Sequence, residues 1–212
     1  MADLDFFFDP VCPWAWITSR WVTEVQDLRS YDVTWRFIAL KVLNEDRDYS
    51  TFPDGYPTVH MAGTMGLRVA AAARNADGNE AVGKVYTALG MSFHNRKERD
   101  VFVADPHAAM TTLLADAHLP TQWADAVHDS SYDELIRAET MLGLERTGKD
   151  VGTPILTFHP GSAQEASFFG PVISTIPRGQ EALKLWDAVE VLAATSGMAE
   201  LKRSLRDRPS FD

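Results

Sequence analysis

The one thiol in this chain, Cys12, stands in Phe8-Asp9-Pro10-Val11-Cys12-Pro13-Trp14-Ala15-Trp16. A short strand-like stretch, Leu4 to Phe8, runs before it; after it, Ile17, Trp21, Val25 and Leu28 recur at helical spacing. Cys12 is therefore expected at a strand-to-helix junction, with Pro13 in the first helical turn, where a missing N–H costs nothing. The free amides and positive dipole end of such a helix stabilise an anion. Because the thiolate is the nucleophilic form of cysteine, Cys12 reads as an acidic, partly exposed, reactive thiol. The bland alternative is a small buried hydrophobe, the usual state of a lone cysteine. The strand before it, the proline after it and the helix beyond favour the reactive reading. Ala15 holds the position where a Cys-x-x-Cys pair would carry its second thiol, so no internal thiol is at hand to resolve a Cys12 adduct.

The elements that must position this thiol follow from periodicity. Leu4, Phe6 and Phe8 alternate as a strand; a helix then runs to about Arg29-Ser30; Val33, Trp35, Phe37 and Ala39 form a second strand. This is a βαβ unit, whose strands should be parallel and whose crossover should be right-handed. The stretch from Asn44 to Gly55 is polar and turn-rich. From Tyr56 to about Gly148 the pattern is helical: Ala70 to Ala73, then Val82, Val85, Leu89 and Phe93, then Met110, Leu113, Leu114 and Ala117. Core packing accounts for these stripes without a cofactor. Ser131-Tyr132-Asp133-Glu134 has the form of a capping box, opening a helix through Leu135, Glu139, Leu142 and Arg146. Strand character returns at Thr153 to Phe158, and Ala166 to Phe169 pairs back as a hairpin. A last helix carries Ala182, Leu185, Trp186, Val189 and Leu192 on one face, and the charged tail after Met198 is expected to fray. The order βαβ, helical block, ββα predicts an α/β chain. It is a thioredoxin fold with an inserted all-helical subdomain, residues 1–55 and 148–212 making the thioredoxin-like domain and 56–147 the insert. The insert is expected to roof the Cys12 groove. Thr153-Pro154, opening the third strand, is expected to be a cis bond facing Cys12.

Composition closes off several functions. With 212 residues and a formal net charge of −10, the chain can bury a substantial core but is ill-suited to nucleic acid, which needs clustered cations. One cysteine excludes an intramolecular disulfide and suits a reducing compartment. The N-terminus has no basic, apolar leader, and no run approaches a membrane span, so the expectation is a cytoplasmic protein with no membrane partner. The six histidines contain no His-x-x-x-His pair and no glycine-rich phosphate loop follows a strand, so no metal, flavin or nucleotide is expected. No oligomeric state is implied.

The whole pattern resembles the DsbA-like thioredoxin superfamily, and more narrowly the mycothiol-dependent nitroreductase family. The carriers are the motif from Phe8 to Trp21, then Leu43-Asn44-Glu45-Asp46-Arg47, His94-Asn95, Asp150 to Pro154, Phe169-Gly170-Pro171-Val172 and Ile176-Pro177-Arg178-Gly179. The resemblance implies Cys12 as nucleophile and Thr153-Pro154 as the wall orienting an incoming thiol or disulfide. It implies a substrate cleft of Pro13, Trp14, Asn44, Tyr56, His94 and Arg178. Read alone, Trp14 is equally a core cap, Asn44 a turn residue, His94 a surface histidine and Arg178 a solvated cation. It further implies mycothiol as reducing co-substrate, with a low-molecular-weight thiol and a small-molecule or disulfide substrate as partners. The chemistry would be thiol–disulfide exchange or nitro-compound reduction. Two other readings stay open: a thiol transferase or isomerase like the kappa-class glutathione transferases, and a redox-inactive binding module.

Overall fold

The computed structural model describes residues 3–212; Met1 and Ala2, where the absence of a leader is read, lie outside them. Four strands, β1 (Leu4–Phe8), β2 (Val33–Phe37), β3 (Ile155–Phe158) and β4 (Ala166–Phe169), form one sheet in the order β2-β1-β3-β4. β1 and β2 are parallel, with Leu4 opposite Val33 and Phe8 opposite Phe37, while β3 is antiparallel to both β1 and β4. Helix α1 (Pro13–Leu28) links the parallel pair and α8 (Gly179–Ala194) follows the hairpin. This is the thioredoxin arrangement that the βαβ and ββα patterns call for.

Between β2 and β3 the chain forms α2 (Leu40–Leu43), α3 (Tyr56–Asp77), α4 (Asn79–Gly90), a π turn (Met91–Asn95), α5 (Arg99–Ala104) and α6 (Pro106–Asp116). Two 3-10 turns, Thr121–His128 and Ser130–Tyr132, lead into α7 (Asp133–Thr147). Every residue of β1 is buried, because both faces of the sheet are covered. Phe6 and Phe8 join the main core with Trp16, Trp35 and Tyr86, and Phe7 packs on the other face with Ile38, Ile155 and Leu142 of α7. The helices are stitched to the sheet by buried polar groups as well as by area. The Glu139 carboxylate accepts from the Phe37 amide at 2.9 Å, from Arg36 at 3.1 Å and from Arg74 at 2.8 Å.

Three local expectations change. The Ser131 capping box does not form: the Asp129 side chain accepts from the Ser131 amide at 2.9 Å and starts a 3-10 turn. α7 then opens at Asp133 with no side-chain cap. The second strand stops at Phe37, because the Ala39 amide is donated to Thr140 Oγ1 at 3.0 Å rather than to a neighbouring strand. The tail has no helix or strand after Ala194, yet its end is held: the Ser210 amide donates to Ser174 O at 2.8 Å, and Asn95 Nδ2 to Phe211 O at 2.9 Å. Among the described residues no helix is long and apolar enough to cross a membrane.

Candidate functional site

Cys12 is the N-cap of α1, with extended backbone (φ −80°, ψ 113°) and Pro13 beginning the helix behind it. Its Sγ accepts from the Ala15 amide at 3.5 Å, so the orphan donors of the first turn do point at sulfur. Upstream, the Cys12 amide donates to Asp9 O at 3.0 Å, closing the turn that brings β1 into α1. Facing it is the segment opening β3, where the Thr153–Pro154 peptide is cis. Cys12 Sγ donates to Thr153 O at 3.4 Å, and Thr153 Oγ1 donates to Phe7 O at 3.0 Å, fixing this wall to β1. Sulfur, amide and carbonyl thus converge from two chain segments far apart in sequence.

The electrostatics depart from the acidic-thiol expectation. Cys12 is only 7% exposed. Burial pushes its thiol up to about 12, the Ala15 amide opposes this only in part, and the Asp9 charge pushes the same way. The helix terminus is present, but the sulfur faces packed protein rather than water, and desolvation of a thiolate outweighs the dipole. The resting group is a protonated thiol that donates to a carbonyl.

Asp9 belongs to the same buried cluster. Its carboxyl accepts from the Val11 amide at 3.0 Å and the Leu40 amide at 2.7 Å, yet burial still pushes it up to about 7. α3 lies against it so closely that a Cβ on Gly63 would overlap Asp9 Oδ1. Tyr86 stacks on Phe8 with ring centres 3.9 Å apart, and burial pushes its phenol above the ordinary range.

The residues named from the sequence fall into two groups. Pro13, Trp14, Thr153 and Pro154 surround Cys12 through chain continuity and the Thr153 contact. His94, in the π turn, reaches the same loop: its Nε2 lies 2.9 Å from Pro10 O. A carbonyl only accepts, so Nε2 carries the proton, and burial holds the ring's pKa down to about 4. His94 is therefore neutral at neutral pH, and its Nε2–H ties the π turn to the Pro10 carbonyl. Asn44 is not brought to the sulfur by any such contact; its Nδ2 donates to Leu40 O at 2.8 Å, closing the end of α2. Tyr56 opens α3, about 10 Å along its axis from Gly63 at 1.5 Å per residue. It lies in a ring cluster with Phe52 and His60, each centre 5.4 Å away. Arg178 pairs with Glu24 at 2.9 Å, roughly 18 Å down α1 from Cys12, so the structure does not bring it to the groove.

From sequence, Asp9 and Asn95 enter only within the motifs that carry the resemblance, and Arg206 and Phe211 do not enter at all. Asp9 had a signal, an acid inside an otherwise apolar run. The tail residues had none, since nothing in the sequence pairs position 211 with position 94. An open cleft of about 530 Å3 lies elsewhere, lined by Arg20, Trp35, Gly83 and Lys84 among others, without Cys12. Among the described residues no cluster of three or more His, Cys, Asp or Glu is poised for a metal ion.

The geometry sits within a set of relatives. A Mycobacterium tuberculosis protein, Rv2286c, is 29% identical over 215 residues, spanning 96% of this chain and 82% of that one. The cytosolic disulfide reductase DsbM from Pseudomonas aeruginosa shares the fold, with a TM-score of 0.59 at 14% identity, over 89% of this chain and 98% of that one. Its structure with GSH gives 0.52 at 15%, over 74% and 86%. A family model described as Rv2466c-like, mycothiol-dependent nitroreductase Rv2466c, matches residues 11–203. That match spans Cys12, every helix between β2 and β3 and the cis Thr153–Pro154 bond, and the chain thus belongs to the Rv2466c-like family of mycothiol-dependent nitroreductases, whose chemistry is thiol-dependent oxidoreduction.

Proposed function

We propose that this protein is a cytoplasmic monothiol oxidoreductase that uses mycothiol as its reducing co-substrate. One observation carries the reading: Cys12 faces Thr153 O at 3.4 Å with Ala15, not a second cysteine, one helical turn away. In the first half-reaction the Cys12 sulfur attacks a disulfide, forming a mixed disulfide and releasing one thiol; the Cys12 proton leaves with that thiol. In the second, an external thiol attacks the adduct, and Cys12 takes the proton back. For a nitro compound, two thiols would become one disulfide while the nitro group loses one oxygen as water. The family description and the structure of DsbM with GSH support a low-molecular-weight thiol as partner. Trp14, His94, Thr153 and Pro154 are the proposed walls of the cleft. Residues 56–147 are the proposed insert, roofing it through Gly63 on Asp9 and His94 on Pro10.

Intact mass after exposure to mycothiol disulfide tests this. One mycothiol should be gained, should be absent in Cys12→Ser, and should persist until free thiol is added. Ala15→Cys, with a second sulfur near the 5.5–6 Å Cα separation that disulfides favour (about one helical turn), should release the adduct unaided. Adduct that decays equally fast without thiol would overturn the monothiol cycle. The protonated state of Cys12 favours a second reading, a transferase in which the S–H donates to a bound thiolate and is never modified. Cys12→Ser retaining turnover would select it.

A further inference from the structure

We propose that residues 199–212 form a strap across the mouth of the Cys12 groove, with Arg206 and Phe211 admitting small thiols and disulfides while keeping protein thiols out. This rests on the oxidoreductase reading of the same site and adds its substrate class. The carrying observation is that the strap meets the segments flanking Cys12 in the chain, both before and after it. On one side, the Arg206 guanidinium lies 6.0 Å from the ring centre of Trp14, two residues past Cys12. On the other, the Phe211 ring packs 5.5 Å from His94, which holds Pro10 O, two residues before Cys12.

The strap's end is tied to the π turn and to the loop after β4. Asn95 Nδ2 donates to Phe211 O at 2.9 Å while Asn95 Oδ1 accepts from Trp16 Nε1 at 3.0 Å, so one amide links strap, π turn and α1. The Ser210 amide donates to Ser174 O at 2.8 Å, in the loop after β4. That loop is itself held to α1, because Thr18 Oγ1 donates to Pro171 O at 2.8 Å. Between its ends, residues 201–208 are exposed and make no regular structure. Two hydrogen bonds to carbonyls and one half-buried ring form a small contact set, of the kind that opens locally without unfolding the domain. A slim reagent passes beside such a strap. A thiol embedded in a protein brings backbone on both sides of its sulfur and needs the strap displaced.

The lone cysteine makes the test direct. Rates of Cys12 alkylation are measured with N-ethylmaleimide and with the same maleimide on a polyethylene-glycol chain. The proteins are the full chain, an Arg206→Ala/Phe211→Ala variant and a chain ending at Met198, with near-ultraviolet circular dichroism to confirm folding. A strap open about a tenth of the time slows the polymer about tenfold relative to the small reagent. That ratio should collapse toward the urea-unfolded value in both variants. Unchanged rates for both reagents in a folded variant overturn the strap, and equal acceleration of both overturns its size selectivity. Neither measurement uses mycothiol. Collapse of the ratio without a mycothiol adduct therefore sinks only the proposed function, and an adduct with an unchanged ratio sinks only the strap.

Discussion

Cys12 stands between two opposing influences, a helix terminus that favours its anion and a packed groove that opposes it, and burial wins. Asp9 adds to the burial side. Its own carboxyl is raised from 3.8 to about 7, so the folded state binds that proton more tightly than the unfolded chain does. The stabilisation from this proton is complete below about pH 4 and is lost as pH rises through about 7. Asp9→Asn removes the titration. The stability difference between wild type and Asp9→Asn, from urea melts across that window, should therefore fall by a few kcal/mol, at about 1.4 kcal/mol per pKa unit. The same variant should raise the thiolate absorbance of Cys12 at pH 9 by less than about tenfold, since one charge is removed and the burial stays. No thiolate gain at all would show that Asp9 and Cys12 are uncoupled. The position of Cys12 at the strand–helix junction was legible from Pro13 and the helical spacing behind it. Its burial was not, because the carbonyl that meets its sulfur belongs to Thr153, just before β3 and distant in sequence.

At the scale of elements, periodicity located β1, α1, β2, the hairpin and α8, where one sheet face or helix stripe must be apolar. It did not locate the 3-10 turns or the π turn, whose shapes depend on tertiary contacts. The π turn places His94 and Asn95 where they are because Gly90 lets the end of α4 lie against Trp16; a Cβ there would overlap the indole. Gly90→Ala should therefore destabilise the protein by about 1–3 kcal/mol, the usual range for overpacking a tight site. It should also weaken the His94 contact with Pro10. A lower urea midpoint together with a shifted His94 imidazole resonance would bear this out, and a neutral effect would place slack between α4 and α1.

The molecule as a whole depends on polar stitching that composition does not reveal. Glu139 is 7% exposed and serves Arg36, Arg74 and the Phe37 amide at once, joining α7, α3 and β2. Removing one partner of a buried ionic cluster strands the others, at a cost of about 3–5 kcal/mol. Glu139→Ala should lose that much in denaturant melts, whereas Glu45→Ala, whose pair with Arg137 is exposed, should lose under about 1 kcal/mol. The order of elements along the chain was enough to name the fold. What the sequence withheld was long-range pairing: which acid meets which guanidinium, and that the charged tail returns to the groove.

The hydrogen bond from Cys12 to Thr153 O has a spectroscopic consequence. With one cysteine in 212 residues, the protein contains a single S–H oscillator. Its stretching band falls in an infrared region clear of amide and hydroxyl absorption. Donation to a carbonyl moves the band to lower frequency, and conversion of the sulfur to a disulfide erases it. Unlabelled enzyme therefore carries its own vibrational gauge: band intensity counts resting sites and band position reads the contact with Thr153, in the same cuvette and in real time.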